Sequence, residues 1–201
     1  MRHGVAVICV LFTTSVVAGC GGKATAPDTS APATPRQVPP REANAAIQSD
    51  LRLFKRQGFA ISFRYPAYLY DSPELDFGGT AGAADTARAG IGINKANVIL
   101  VNRYDLLRPV TKANVAEIRA EVDGVIKDLA GRTVPGHSVE YGGLPGYAYT
   151  VPLDAPSGGV SRLFVLFDRQ VEYFFNCQST PETRAELDGA CDQALKTLHR
   201  A

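Results

Sequence analysis

Few residues in this chain could do covalent or coordination chemistry. There are four cysteines, Cys9, Cys20, Cys177 and Cys191, and three histidines, His3, His137 and His199. A thiolate can attack, ligate or pair, and an imidazole can move a proton or bind a metal. The spacing supports none of the enzymatic uses. His137 follows Gly136 in a loop-like stretch and His199 falls at the end of a helix pattern. Neither has a spaced Cys, Asp or Glu partner of the kind a zinc site shows. No Gly-x-Ser-x-Gly elbow occurs. Gly78, Gly79, Gly82, Gly90 and Gly92 lack a Gly-Lys-Ser/Thr ending and a dinucleotide spacing, so they read as a surface loop and not a phosphate cradle. Asp105 and Glu117 are acids that folding could bring together, but nothing in their spacing separates them from surface carboxylates. The expectation is a protein that is not an enzyme, with no cofactor and no metal.

Cysteine chemistry of another kind is better supported. The chain opens Met1-Arg2-His3, followed by an apolar run from Gly4 to Ala18. A basic start, a short apolar core and small residues at its end describe a secretory signal. The run is too short for a membrane span, which needs about 20 apolar residues. It ends Val17-Ala18-Gly19-Cys20, which matches a lipobox, where the cysteine is diacylated and becomes the new N-terminus. The alternative is a secreted protein with a stray cysteine. On the lipobox reading, residues 1–19 are the signal peptide and Cys20 is the lipidation site. Two acyl chains there would hold the protein on the extracytoplasmic face of the cell membrane. Residues 20–49 are then anchor and linker: Pro27, Pro32, Pro35, Pro39 and Pro40 stand among Ala, Ser and Thr, a composition that favours extended chain. Residues 50–201 suit one domain with a sizeable core. The chain has 21 Lys+Arg against 20 Asp+Glu, and loss of Arg2 with the signal would bring them level. No basic run suits nucleic acid.

The remaining cysteines fall where two elements must meet. Along Val171–Cys177 the residues Val171, Tyr173, Phe175 and Cys177 share one strand face. Leu187, Cys191, Ala194, Leu195 and Leu198 form one helical stripe within Pro181–Leu198, with Thr180 as the expected N-cap and Pro181 in the first turn. The stripe would cover the strand's aromatic face, which places Cys177 and Cys191 on facing surfaces, as a disulfide requires. Two buried free thiols are the alternative; an extracytoplasmic address favours the bridge. A loop of this size would contribute roughly 3 kcal/mol.

The rest of the chain supplies the scaffold. Leu51–Arg56 reads as a short strand, and Phe59, Ile61, Phe63 and Tyr65 alternate along another that Pro66 stops. Ala67–Lys95 reads as loop-rich and as a candidate lid over a pocket. Asn97–Asp105 is a central strand, apolar on both faces at its start. Thr111 is the expected cap of a helix carrying Val115, Ile118, Val122, Val125, Ile126 and Leu129, which Gly131 ends. Ser138–Tyr141, the turn Gly142-Gly143, Gly146–Val151, Val160–Phe167 and Val171–Cys177 form a meander before the closing helix. This order predicts an α+β fold, an antiparallel sheet flanked by helices.

Several segments resemble known families. FAISFRYP (Phe59–Pro66) resembles the opening of PsbP-like domains. NVILVNRYDLL (Asn97–Leu107), GLPGYAY (Gly143–Tyr149), FVLFDRQVEYFFNCQST (Phe164–Thr180) and ACDQALKTL (Ala190–Leu198) are similar to actinobacterial, mycobacterial-type lipoproteins of the LpqN kind. The resemblance implies an α/β/α sandwich around an antiparallel sheet. It also implies an accessory role in building or transporting cell-envelope components, by binding lipid or glycolipid and membrane transport proteins. It offers no catalytic motif.

Two classes of function follow as expectations. One is a carrier or accessory protein with a site for lipid or glycolipid. The other is an interaction module docking a membrane or cell-wall partner. Tyr68, Tyr70 and Phe77 are the candidate ligand residues, because loop aromatics with polar tips suit an acyl chain and a sugar headgroup.

Overall fold

The computed structural model describes residues 50–71, 73–75, 87–153 and 158–201. The expected signal peptide, Cys20, the linker and Phe77 lie outside the described residues. β1 (Leu51–Phe54), β2 (Ile61–Pro66) and β3 (Tyr70–Asp71) come first, followed by a single 3-10 turn, Pro73–Leu75. Then come β4 (Ala87–Asn94), β5 (Asn97–Asp105), α1 (Val115–Ala130), β6 (His137–Tyr141), β7 (Leu144–Pro152), β8 (Val160–Asp168) and β9 (Val171–Ser179). α2 (Arg184–Lys196) and β10 (His199–Arg200) close the chain. Seven strands form an antiparallel sheet in the order β3-β4-β5-β9-β8-β7-β6, and β1-β2-β10 form a smaller one. The α+β class read from the sequence is the class observed.

Strand alternation divides the large sheet into two faces with different covers. Ile99 and Val101 of β5, Phe164 and Leu166 of β8 and Tyr173, Phe175 and Cys177 of β9 point to one face. There they meet Leu187, Ala190, Cys191, Ala194 and Leu195 of α2 and Phe54, Ile61 and Phe63 of the small sheet. Phe54 stacks on Phe63 with centroids 4.4 Å apart, and Phe63 meets Phe175 at 5.8 Å. Cys177 and Cys191 are bonded across this core with Cα atoms 6.1 Å apart, so β9 and α2 are joined as their facing positions predict. On the other face Ile118, Val122 and Ile126 of α1 cover Tyr147, Tyr149, Leu163, Val165 and Phe167.

The structure differs from the expectations at several boundaries. Ala87–Asn94, expected within a loop, is a full strand paired along its length with β5. Its apolar alternation is muted because the inward positions include Ala87 and Ala89 and the opposite face carries Gly90 and Gly92. Gly90 is required by packing: a Cβ there would stand 2.1 Å from the Leu75 carbonyl oxygen. Thr111 does not cap α1. Its N–H donates to Asn114 Oδ1 at 2.7 Å, and the helix starts after Asn114. Gly131 does end it, at φ 63. α2 begins at Arg184, three residues later than Pro181, because Asn97 Oδ1 accepts both the Thr180 N–H and the Thr183 hydroxyl and holds that turn against the β4–β5 connection. His199 belongs to no helix; it lies in β10 opposite Ser62, whose hydroxyl is 2.9 Å from its Nε2.

Candidate functional site

The expected aromatic site does not assemble as one. Phe59, Phe63, Tyr65, Tyr147 and Tyr149 are core side chains. Burial raises the Tyr149 phenol, and its O–H donates to Asp123 Oδ1 at 2.6 Å. Tyr68 and Tyr70 are exposed, 53% and 43%. Their hydroxyls are already used: Tyr68 donates to the Glu186 carbonyl at 3.1 Å and Tyr70 to the Ile93 carbonyl at 2.6 Å. These two residues offer ring faces to a ligand, not free polar tips, and they lean on different elements. Asp105 and Glu117 are not brought together; Asp105 pairs with Arg103 and Glu117 with Arg108. Among the described residues no group of three or more His, Cys, Asp or Glu is placed to hold a metal.

Polar chemistry gathers instead on the part of the α1-side face that belongs to β4, β5 and β9. The registers Arg88↔Asn102, Asn102↔Phe174 and Tyr104↔Glu172 put Arg88, Asn102, Tyr104 and Glu172 side by side on this face. Further along, Asn176 Oδ1 accepts the Ser161 hydroxyl at 2.8 Å, and Gln178 follows. Asn102 and Gln178 are nine-tenths buried, yet among the described residues Asn102 Oδ1 and Gln178 Oε1 have no hydrogen-bond partner. Buried amide oxygens left unanswered are rare and costly.

Glu172 is half-buried, flanked in the ladder by Tyr104 and Phe167, and burial alone pushes its carboxyl up to about 7. No ion pair of Glu172 or Arg88 with another described residue is seen. The Tyr104 phenol is pushed up to about 12, first by burial and then by Glu172, with Arg88 and the Asn102 amide pulling the other way. It therefore stays a hydroxyl that can donate and accept.

Beside this corner, at the β8–β9 tip, lies a shallow cleft of about 750 Å³ lined by Val110, Phe167, Val171, Arg169 and Arg200 among others. Arg200 is held by Asp168 at 3.1 Å. Arg169 sits in the turn with φ 56, a conformation few non-glycine residues adopt. Phe167 belongs both to the cleft wall and, through its pairing with Glu172, to the edge of the polar corner.

The overall architecture is similar to that of a known structure. The solution structure of cyanobacterial PsbP (CyanoP) from Synechocystis sp. PCC 6803 matches with a TM-score of 0.53 and 12% identity, covering 76% of this chain and 93% of that one. The fold is PsbP-like. A crystal structure from Bacteroides thetaiotaomicron VPI-5482 matches at a TM-score of 0.49 and 9% identity, over 74% of this chain and 48% of that one. No family model matches the sequence, and no curated protein does. At such identity the likeness reaches the PsbP-like fold alone.

Sequence reasoning missed the polar corner for a plain reason. Arg88, Asn102, Tyr104 and Glu172 lie on three strands, and only the register of the sheet makes them neighbours. The available signal was Glu172 in Val-Glu-Tyr-Phe-Phe, an acid between Val171 and Tyr173 within a strand otherwise rich in buried residues.

Proposed function

We propose that this chain is a lipid-anchored, extracytoplasmic binding protein, a non-catalytic accessory factor in cell-envelope biogenesis or transport whose ligand is a lipid or glycolipid. The observation that carries the reading is the polar part of the α1-side face, where buried amide oxygens without a hydrogen-bond partner among the described residues stand beside a cleft that Val110, Phe167 and Val171 line together with charged side chains. A packed core does not leave such groups unanswered without cost, whereas a binding floor leaves them for a ligand. Anchoring rests on the lipobox at Cys20. Among the described residues no helix is long and apolar enough to cross a membrane. The likeness of the sequence segments to LpqN-type lipoproteins supports the same role and adds a membrane transport protein as a candidate partner.

The position of the tether fits this use. Asp50 accepts the Ala67 N–H at 2.8 Å beside the Leu51↔Pro66 pairing, and Tyr68 reaches the start of α2. That end of the domain holds the β4–β5 connection, while the cleft lies at the opposite strand ends. The linker therefore joins the domain far from the cleft.

Two measurements test the proposal. The full chain, purified from envelope extract and examined by native mass spectrometry, should carry a non-covalent lipid or glycolipid that is released on denaturation. A Cys20→Ser chain should lose acylation and leave the membrane fraction. A protein that is always ligand-free, with cross-linking in cells capturing one membrane protein, would favour the interaction-module reading. Leu107, 86% exposed, and Val115 at the start of α1 offer apolar surface for that alternative.

A further inference from the structure

We propose that the cleft at the β8–β9 tip binds an anionic amphiphile, a phosphate or carboxylate carried on an apolar chain, with Arg169 holding the anionic group. The inference rests on the binding-protein reading above and names the chemistry of its ligand. One cavity brings the required groups together: Val110, Phe167 and Val171 line it alongside Asp168, Arg169 and Arg200. The charges of its wall do not cancel, since two arginines stand against one aspartate. Asp168 is taken by Arg200 at 3.1 Å, and Arg200 is held a second time by donating to the Gly143 carbonyl at 3.2 Å. The remaining positive charge is that of Arg169, which is exposed. The carboxylate of Asp105, whose ladder partner Val171 lines the cleft, is engaged by Arg103, and Glu172 is not part of the wall. An anion entering the cleft therefore meets a net cationic wall with no free carboxylate in it.

The backbone holds Arg169 at this place. β8 and β9 are joined by two residues, Arg169 and Gln170, and a hairpin loop with positive φ at its first position ordinarily takes glycine, asparagine or aspartate there. Arg169 adopts φ 56 instead, the one non-glycine residue with positive φ among those described. Its carbonyl accepts the Val110 N–H and the Gln170 carbonyl accepts the Leu106 N–H, both at 2.8 Å, so the turn is fixed against the segment that carries Val110. An arginine kept at a strained, exposed position is a cost that packing does not require, and strain of this kind gathers at binding sites. The guanidinium is a planar fork that matches phosphate and carboxylate oxygens. The apolar walls provide for the chain. Phe167, which is buried, Val110 and Val171 bound a cleft of about 750 Å³, a size that suits a ligand of this kind. Leu107, 86% exposed, lies between the two backbone hydrogen bonds and continues the apolar surface beyond Val110. A lipid headgroup and a free fatty anion share this chemistry.

The probe is decyl phosphate, titrated calorimetrically below its micellar concentration into the purified full chain carrying Cys20→Ser, so that no acyl chain of its own competes. Saturable binding is expected. Inorganic phosphate and the uncharged decyl maltoside should each bind at least about tenfold more weakly, and octyl phosphate at least about threefold more weakly, because two methylenes leave the apolar wall. Arg169→Gly is the deciding variant. It relieves the strained φ, so the melting temperature should stay the same or rise, while decyl phosphate should weaken at least about tenfold and decyl maltoside should not change. Arg169→Lys should recover part of the loss. Vesicles containing phosphatidylglycerol that compete with the soluble probe identify a lipid headgroup as source; vesicles that do not compete identify a free fatty anion. Unweakened decyl phosphate binding in Arg169→Gly would overturn the site, and inorganic phosphate bound as tightly as decyl phosphate would overturn the amphiphile. Decyl maltoside bound as tightly as decyl phosphate, by the variant as by its parent, overturns the anionic site and leaves the proposed function standing. No saturable binding of either amphiphile overturns the site, and the native mass spectrum of the wild-type chain then decides the broader reading by itself.

Discussion

Two parts of one sheet face are built from the same strands and put to opposite uses. On β7 and β8 the outward positions are Tyr147, Tyr149, Leu163, Val165 and Phe167, and α1 covers them. On β5 and β9 the corresponding positions include Asn102, Tyr104, Glu172, Asn176 and Gln178. Leu163 and Asn176 are direct partners in the ladder, as are Phe167 and Glu172, so the boundary between the two parts runs between β8 and β9. The apolar part contributes to stability through burial. The polar part holds unanswered hydrogen-bonding groups, which cost stability unless something binds there. An amphipathic helix needs only one apolar stripe to dock, so α1 covers the part that offers one.

The first way to test this contrast is a matched pair of truncations. Leu163→Ala should cost about 3 kcal/mol in urea unfolding, because a fully packed side chain leaves a cavity under α1. Asn176→Ala, its ladder partner, should cost about 1 kcal/mol, the Ser161 hydrogen bond being the loss. Equal costs would show that both parts are ordinary core.

Glu172→Gln should act in the opposite direction. The folded carboxyl is raised from 4.5 to about 7, so the native state holds its proton longer than the unfolded chain. Stability is therefore full below about pH 4.5, falls as pH rises through 7, and is flat above. The variant should be more stable than the wild type by about 2 kcal/mol at pH 8 and indistinguishable at pH 4. Tyr104, Phe167 and Phe174 are its neighbours in the sheet, and none is a cation that would reverse the sign. Unfolding curves at the two pH values decide it.

Gly90→Ala probes the small-residue floor. Its Cβ would collide with the Leu75 carbonyl, so the 3-10 turn must shift, at about 2 kcal/mol by thermal unfolding. Gly124→Ala serves as the control, since nothing lies within 4 Å of its Cβ and the residue is mid-helix; it should be stabilising by up to about 1 kcal/mol. Tyr149→Phe should cost about 1 kcal/mol, as small a loss as that of Asn176→Ala, because it removes the hydrogen bond to Asp123 and keeps the ring under α1.

Much of this protein was legible in the order of its residues. Alternation along Val171–Cys177 and the stripe through Leu187, Cys191 and Leu195 were enough to place two thiols face to face, because both patterns are set by local backbone geometry. The same holds for α1, its Gly131 terminus, the Gly142-Gly143 turn with both residues at positive φ, and the α+β class. Tertiary structure decided the rest. β4 hid behind alanines and glycines, since its packing against Leu75 leaves no room for the side chains by which strands are recognised. α2 started late because Asn97, distant in sequence, captured the turn before it. Tyr68 and Tyr70 lost their free hydroxyls to backbone carbonyls that only folding brings near. The polar corner is the clearest case. Arg88, Asn102, Tyr104 and Glu172 lie up to 84 positions apart along the chain, and their common chemistry exists only through strand register, a long-range property that no local pattern encodes.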